Sequence, residues 1–260
     1  MTPRVGRTTI SLACVGVGAI TGVVVGAGSY IGSNGSAASF AAGAGGAWIF
    51  LVATFARLRR ELSAIGENGP ARVTIPTAVT LARGFLVALV AGWALAPVPD
   101  AGGRWLAGAL YTVAVLADLA DGALARRTAR VTALGAKLDV TTDALGLFVA
   151  PLVGVRWGRL PPWYLALALA YPAFRAALRI RRARRLPLFP ERLKRDPRAR
   201  FFAGVQMGVV AASLFPVLPR ALTWTAATLA MLPTLALFAG EWRLVTSPAR
   251  DGAGAQRLDA

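Results

Sequence analysis

The stretch DLADGALARRTARVTALGAKLDVTTD, residues 118–143, holds four of the chain's twelve acidic residues within 26 positions. Asp118 and Asp121 are spaced i, i+3, and Asp139 and Asp143 i, i+4, so on helices each pair projects from one face. Apolar runs precede Asp118 and follow Asp143, and the turn between them, from Arg126 to Arg130, is short and basic. The pattern predicts two antiparallel helices whose acidic faces meet near a membrane boundary.

Two acidic faces repel one another and resist desolvation, at a cost of several kcal/mol for each unpaired buried ion. Positive charge is therefore required between them. The chain has no histidine, and its one cysteine, Cys14, lies in an apolar run. A Ser-His-Asp triad, an imidazole zinc site, a disulfide and a thiolate cluster are excluded. Hard divalent cations held by carboxylate oxygens, Mg²⁺ or Mn²⁺, fit instead, and a pair about 4 Å apart clamps a diphosphate. Gly122 and Ala125 leave the first helix face bare beside the carboxylates, where a nucleotide can lie flat, and Gly135 lets the second helix approach.

The rest of the chain suits a bilayer. Of 260 residues, 56% are hydrophobic and 16% charged, with a mean hydropathy of +0.57. Apolar stretches between charge clusters predict eight transmembrane helices, at 8–32, 38–56, 75–96, 104–124, 135–157, 162–181, 200–218 and 221–244, each near the ~20 residues that cross hydrocarbon. An all-α integral membrane protein is expected. The net charge of +17 sits at the ends of these runs and is not interleaved with aromatics, so no nucleic-acid partner is expected; anionic membrane lipid is.

Arginine placement gives the topology. Arg57, Arg59, Arg60 and Arg72, then Arg126, Arg127 and Arg130, then the run from Arg179 to Arg200 alternate with loops bearing only Arg104, Arg156, Arg159 and Arg220. The positive-inside rule puts the basic loops, both termini and the acidic cluster in the cytoplasm of a multi-pass cell-membrane protein. The first run reads as a retained helix rather than a signal peptide, and its Gly18, Gly22 and Gly26 repeat every fourth residue, as in close helix contacts. Residues 1–70 are expected to form a two-helix appendage, 71–248 a six-helix catalytic core and 249–260 a polar tail.

The acidic stretch resembles the signature of the CDP-alcohol phosphotransferase family, D-x2-D-G-x2-A-R-x8-G-x3-D-x3-D: Asp118, Asp121, Gly122, Ala125, Arg126, Gly135, Asp139 and Asp143 match every defined position. A partial echo lies at residues 75–83, similar to the family's P-N-x-x-T-x-x-R opening, with Thr77 where Asn is usual and Thr80 and Arg83 in place. The resemblance implies that Asp118, Asp121 and Asp139 ligate two divalent cations, with Asp143 a further ligand and general base. It implies that Gly122, Ala125, Arg126, Gly135 and Thr80 face the nucleotide of a CDP-diacylglycerol-like donor, that a small alcohol such as glycerol 3-phosphate or inositol phosphate accepts the phosphatidyl group with release of CMP, and that the protein is a homodimer.

Arg175, Arg179 and Arg182 close the sixth predicted helix, near one face, and guanidinium forks suit an acceptor's phosphate. The next helix departs from the G-K-x-K-T-x-x-Q of phosphatidylglycerophosphate-type members: it opens Arg198-Ala199-Arg200-Phe201-Phe202, and only Gln206 matches. Two other classes share parts of the pattern. A membrane-embedded prenyltransferase also holds a diphosphate with aspartates and Mg²⁺, but places its two acidic motifs far apart in the chain. A transporter with an intramembrane acidic site predicts acids near the bilayer midplane and broken helices.

Overall fold

A computed structural model describes Ala19 and residues 36–64, 75–128, 132–187 and 197–246, with no strand among them. Apart from Ala19, the helix predicted at 8–32, with its glycine stripe, lies outside the described residues, as does the tail at 249–260. Seven α-helices follow: α1 (Ser36–Ala64), α2 (Ile75–Leu95), α3 (Ala101–Thr128), α4 (Ala133–Arg156), α5 (Leu165–Ala183), α6 (Pro197–Leu214) and α7 (Arg220–Thr246), with a 3₁₀ turn at Pro162–Tyr164. Among the described residues, four segments are long and apolar enough to cross a membrane, Ser36–Ser63, Pro76–Leu95, Ala133–Arg156 and Arg220–Thr246. The other three helices carry the aspartate pair at 118 and 121 or the arginine clusters.

Local chemistry sets the boundaries. Asp100 caps α3 by accepting from the Gly103 N–H at 2.9 Å, and Thr132 caps α4 by accepting from the Gly135 N–H at 3.1 Å. α4 ends where Gly158 turns left-handed, φ 67°, so that the N–H groups of Arg159 and Leu160 return to the Gly154 carbonyl at 2.8 and 3.0 Å. Pro161 and Pro162 then delay helix geometry, which is why α5 begins at Leu165 and not at 162.

α2 lies in the middle, packed on α1, α3 and α4; α4 also meets α5 and α6, and α6 and α7 pack together. α1 shares its buried face with α2. Phe40 meets Trp93 edge to face at 4.9 Å, Trp93 meets Trp157 at 6.4 Å, and Ala44, Trp48 and Leu51 are buried with them. Small residues permit the approach: a Cβ on Gly43 would stand 2.6 Å from the Ala91 carbonyl oxygen. The outer surface displays Phe50, Val113, Leu116, Leu229 and Leu232, each at least half exposed. Lipid tails, not water, suit such a face.

The side of the bundle away from residues 118–143 is tied together by Arg159. Its guanidinium donates to the carbonyls of Ser213 at 3.1 Å, Phe215 at 2.9 Å and Leu218 at 2.6 Å. The Thr223 hydroxyl donates to the Arg159 carbonyl at 2.7 Å, and the Trp224 indole to that of Gly158 at 3.1 Å.

Candidate active site

α2 is apolar along its length except for one charge, Arg83, whose side chain is 4% exposed. A buried guanidinium needs partners for its five donors, and three carboxylates surround it. Nη1 donates to Asp118 Oδ1; Nη2 donates to Asp139 Oδ1 at 2.8 Å and to Asp143 Oδ1 at 2.6 Å. Asp118 arrives on α3, and Asp139 and Asp143 on one face of α4, as their i, i+4 spacing requires. The aspartates are 30–41% exposed, so the arginine closes the cluster from within while the carboxylates stay open toward the cleft.

Carboxylate oxygens of Asp118, Asp139 and Asp143 all lie within 4.8 Å of one another. This oxygen-only, multiply anionic donor set fits hard divalent cations. Beneath it, buried Tyr111 and Thr142 line a narrow crevice with Arg83, Asp118 and Asp143, and the Thr142 hydroxyl is satisfied by the Leu138 carbonyl at 3.1 Å.

Of the residues expected on the donor side, Gly135 lies in the first turn of α4, where a Cβ would meet Thr132 Oγ1 at 3.1 Å and Thr77 Oγ1 at 3.4 Å. Its close neighbour across helices is therefore α2. Thr80 is buried one turn before Arg83 and donates to the Pro76 carbonyl at 3.0 Å. Asp121, Gly122, Ala125 and Arg126 occupy the last two turns of α3, and their side chains lie outside the described residues, as does that of Arg175. Arg179 is exposed and lines a cavity that Asp143 also lines. Arg182 is exposed at the end of α5 and does not line it.

That cavity, about 770 Å³, lies between α4, α5, α6 and α7. Gln206 lines its wall at the centre of a polar cluster: the Tyr164 hydroxyl donates to Gln206 Oε1, and Gln206 Nε2 donates to the Ala230 carbonyl at 2.5 Å and to Thr234 Oγ1 at 3.2 Å. Sequence reasoning noticed Gln206 as a motif remnant and missed its partners. It also missed Arg83 as a member of the site, although a lone cation inside an apolar helix was the available signal.

A helical bundle with four segments long and apolar enough to cross a membrane among the described residues, built around a carboxylate cluster able to hold a hard cation and opening on a large apolar cavity, suits a multi-pass membrane protein whose active site uses carboxylates. The CDP-alcohol phosphatidyltransferase family model matches residues 73–235, more than half of the chain, and the chain belongs to that family. It is therefore an enzyme that transfers a phosphatidyl group from a CDP-alcohol, in a family of membrane transferases that use divalent metals in phospholipid biosynthesis. No curated protein and no solved structure matches the chain.

Proposed function

We propose that the protein transfers the phosphatidyl group of a CDP-diacylglycerol-like lipid to an alcohol and releases CMP, at the cytoplasmic face of the cell membrane. The observation that carries this reading is the convergence of Asp118, Asp139 and Asp143 within 4.8 Å, at the positions the family signature assigns to metal ligands. Asp121, the fourth acid of the signature, completes the proposed set.

Two divalent cations, Mg²⁺ or Mn²⁺, held by Asp118, Asp121, Asp139 and Asp143, supply neutralisation of the donor's diphosphate when bound. Arg83 gathers three of these carboxylates and offsets part of their mutual repulsion. Gly122, Ala125, Gly135, Arg126 and Thr80 form the side on which the nucleotide lies. Asp143 accepts the proton of the acceptor hydroxyl; that oxygen bonds to the lipid-side phosphorus as the bond from this phosphorus to the bridging oxygen breaks, and CMP departs with the bridging oxygen.

Arg175, Arg179 and Arg182 are the residues we assign to the acceptor's anionic group. The arginine-rich loops at one side support cytoplasmic orientation, and family resemblance supports a homodimer. Residues 71–248 form the catalytic unit in this reading, with residues 1–70 added to it. The test is CMP release by detergent-purified protein given CDP-diacylglycerol, Mg²⁺ or Mn²⁺ and an acceptor panel of glycerol 3-phosphate, inositol phosphate, inositol and serine, supplemented with lipid alcohols. Metal- and acceptor-dependent CMP supports the assignment; protein that neither binds CDP-diacylglycerol nor releases CMP contradicts it.

A further inference from the structure

The cavity has a polarity gradient along its length. Its charged lining residues, Asp143, Arg179 and Glu241, belong to the site end of the bundle: Asp143 is in the first half of α4, and Arg179 and Glu241 are near the ends of α5 and α7, which return toward that side. From Arg179 back to Leu167 the cavity follows α5 for twelve residues, or about 18 Å at 1.5 Å per residue. Away from the charged end the walls are Pro151, Leu167, Val210 and similar side chains.

The polar groups met on the way are already engaged with protein. Tyr164 gives its proton to Gln206, and Gln206 gives its own to Ala230 and Thr234. A polyhydroxylated guest would find these donors committed, while an aliphatic chain would leave them undisturbed. On α6 the cavity wall is made by Ala199, Ala203 and Val210, small or aliphatic side chains that leave room for an apolar guest. A length of about 18 Å is close to half of a bilayer's ~30 Å hydrocarbon core, the depth one acyl chain occupies.

Building on the transferase reading above, we infer that the acceptor alcohol is an amphiphile, a lipid whose hydroxyl is delivered to Asp143 while one of its acyl chains fills this cavity. The acceptor assignment rests on the wall: Asp143, the proposed base, lines the cavity, whereas its cluster partners Asp118 and Asp139 do not. Arg179 stands at the charged end, where the headgroup of such a lipid would be.

The assay is CMP release from CDP-diacylglycerol with two acceptor sets: the soluble alcohols named above, and amphiphilic alcohols comprising phosphatidylglycerol and monoacylglycerols of eight to sixteen carbons. Only the amphiphiles are expected to support turnover, with KM falling about three- to fourfold per added methylene until the cavity is full. Ala168→Trp, at the far end of the cavity beside Leu167, should raise KM for the longest chains by at least tenfold, leave short-chain acceptors unchanged and leave the Kd for CDP-diacylglycerol unchanged. The chain-length series on the unmodified protein stands whether or not that variant folds.

Efficient turnover with a soluble alcohol and no chain-length dependence would overturn the inference while leaving the transferase reading intact. So would an Ala168→Trp variant that weakens donor binding alone, which would assign the cavity to a donor chain. A protein that fails to bind CDP-diacylglycerol would instead remove the transferase reading, and this inference with it.

Discussion

Arg83 Nη2 lies 2.6 Å from Asp143 Oδ1, joining the centre of an apolar helix to the acid proposed as the base, 60 residues further along the chain. The same nitrogen reaches Asp139, and the other arm of the fork reaches Asp118. One buried cation thus holds three carboxylates from two helices at a common point.

Arg83→Met should lower unfolding stability by about 2 kcal/mol, less than the ~3–5 kcal/mol typical of breaking a fully buried ion pair because the aspartates are partly solvated. Thermal unfolding in detergent without divalent ions measures it. Adding Mn²⁺ should recover most of the loss by bringing positive charge back to the carboxylates. Arg83→Lys should fall between the two, since an ammonium lacks the planar fork that spans the three acids. A Met variant as stable as the parent without metal would mean that the carboxylates need no counter-ion.

Asp143→Asn removes the proposed proton acceptor and keeps the shape of the side chain. Turnover should drop by roughly 10²- to 10⁴-fold, the range expected for loss of a general base. Equilibrium binding of CDP-diacylglycerol and Mn²⁺ should change far less, because Asp118 and Asp139 remain. Substantial residual CMP release would take Asp143 out of that role.

The contact between α1 and α2 is open to a single-methyl test. Gly43→Ala puts a carbon 2.6 Å from a backbone oxygen that cannot rotate away, so α1 must shift, at about 1–3 kcal/mol for an overpacked interface. Gly45→Ala, which meets nothing within 4 Å, is the neutral control. Equal unfolding temperatures for the two variants would show that α1 yields at this point without cost.

Gln206→Leu leaves the buried Tyr164 hydroxyl without its acceptor and should destabilise by about 1–3 kcal/mol. Adding Tyr164→Phe should restore part of that loss, because both partners are then apolar. A double-mutant cycle gives the coupling; additive effects would mean that the two side chains act independently.

The helices were legible to within a few residues where charge or proline marks their ends. The run predicted at 75–96 is the helix Ile75–Leu95, and that at 221–244 is Arg220–Thr246. α1 overran its prediction because helix geometry does not stop where hydropathy does. It continues past residue 56 through Arg57 and Glu61, an i, i+4 pair at 2.7 Å, to Ala64. Of the eight expected spans, four meet the requirement of length and composition among the described residues, and the run at 8–32 lies outside them.

At the site, Asp118, Asp139 and Asp143 could be read directly, since spacing along a helix fixes the face on which a side chain emerges. Arg83 could not be paired with them, because the choice of carboxylates depends on how α2 is rotated against α3 and α4. Small-residue packing such as Gly84 against Leu51 and Thr142 sets that rotation. The cavity was hidden for a similar reason: its walls come from four helices, and no one of them is distinctive by itself.

Arg159 gives the bundle a mechanical asymmetry. Its three carbonyl contacts rivet the turn after α4 to the α6–α7 connection, as the joined end of tweezers fixes both arms. At the opposite end α4 is held instead to α2 and α3, through the Arg83 cluster, so the helix that carries Asp139 and Asp143 is pinned toward its two ends to two different sides of the bundle.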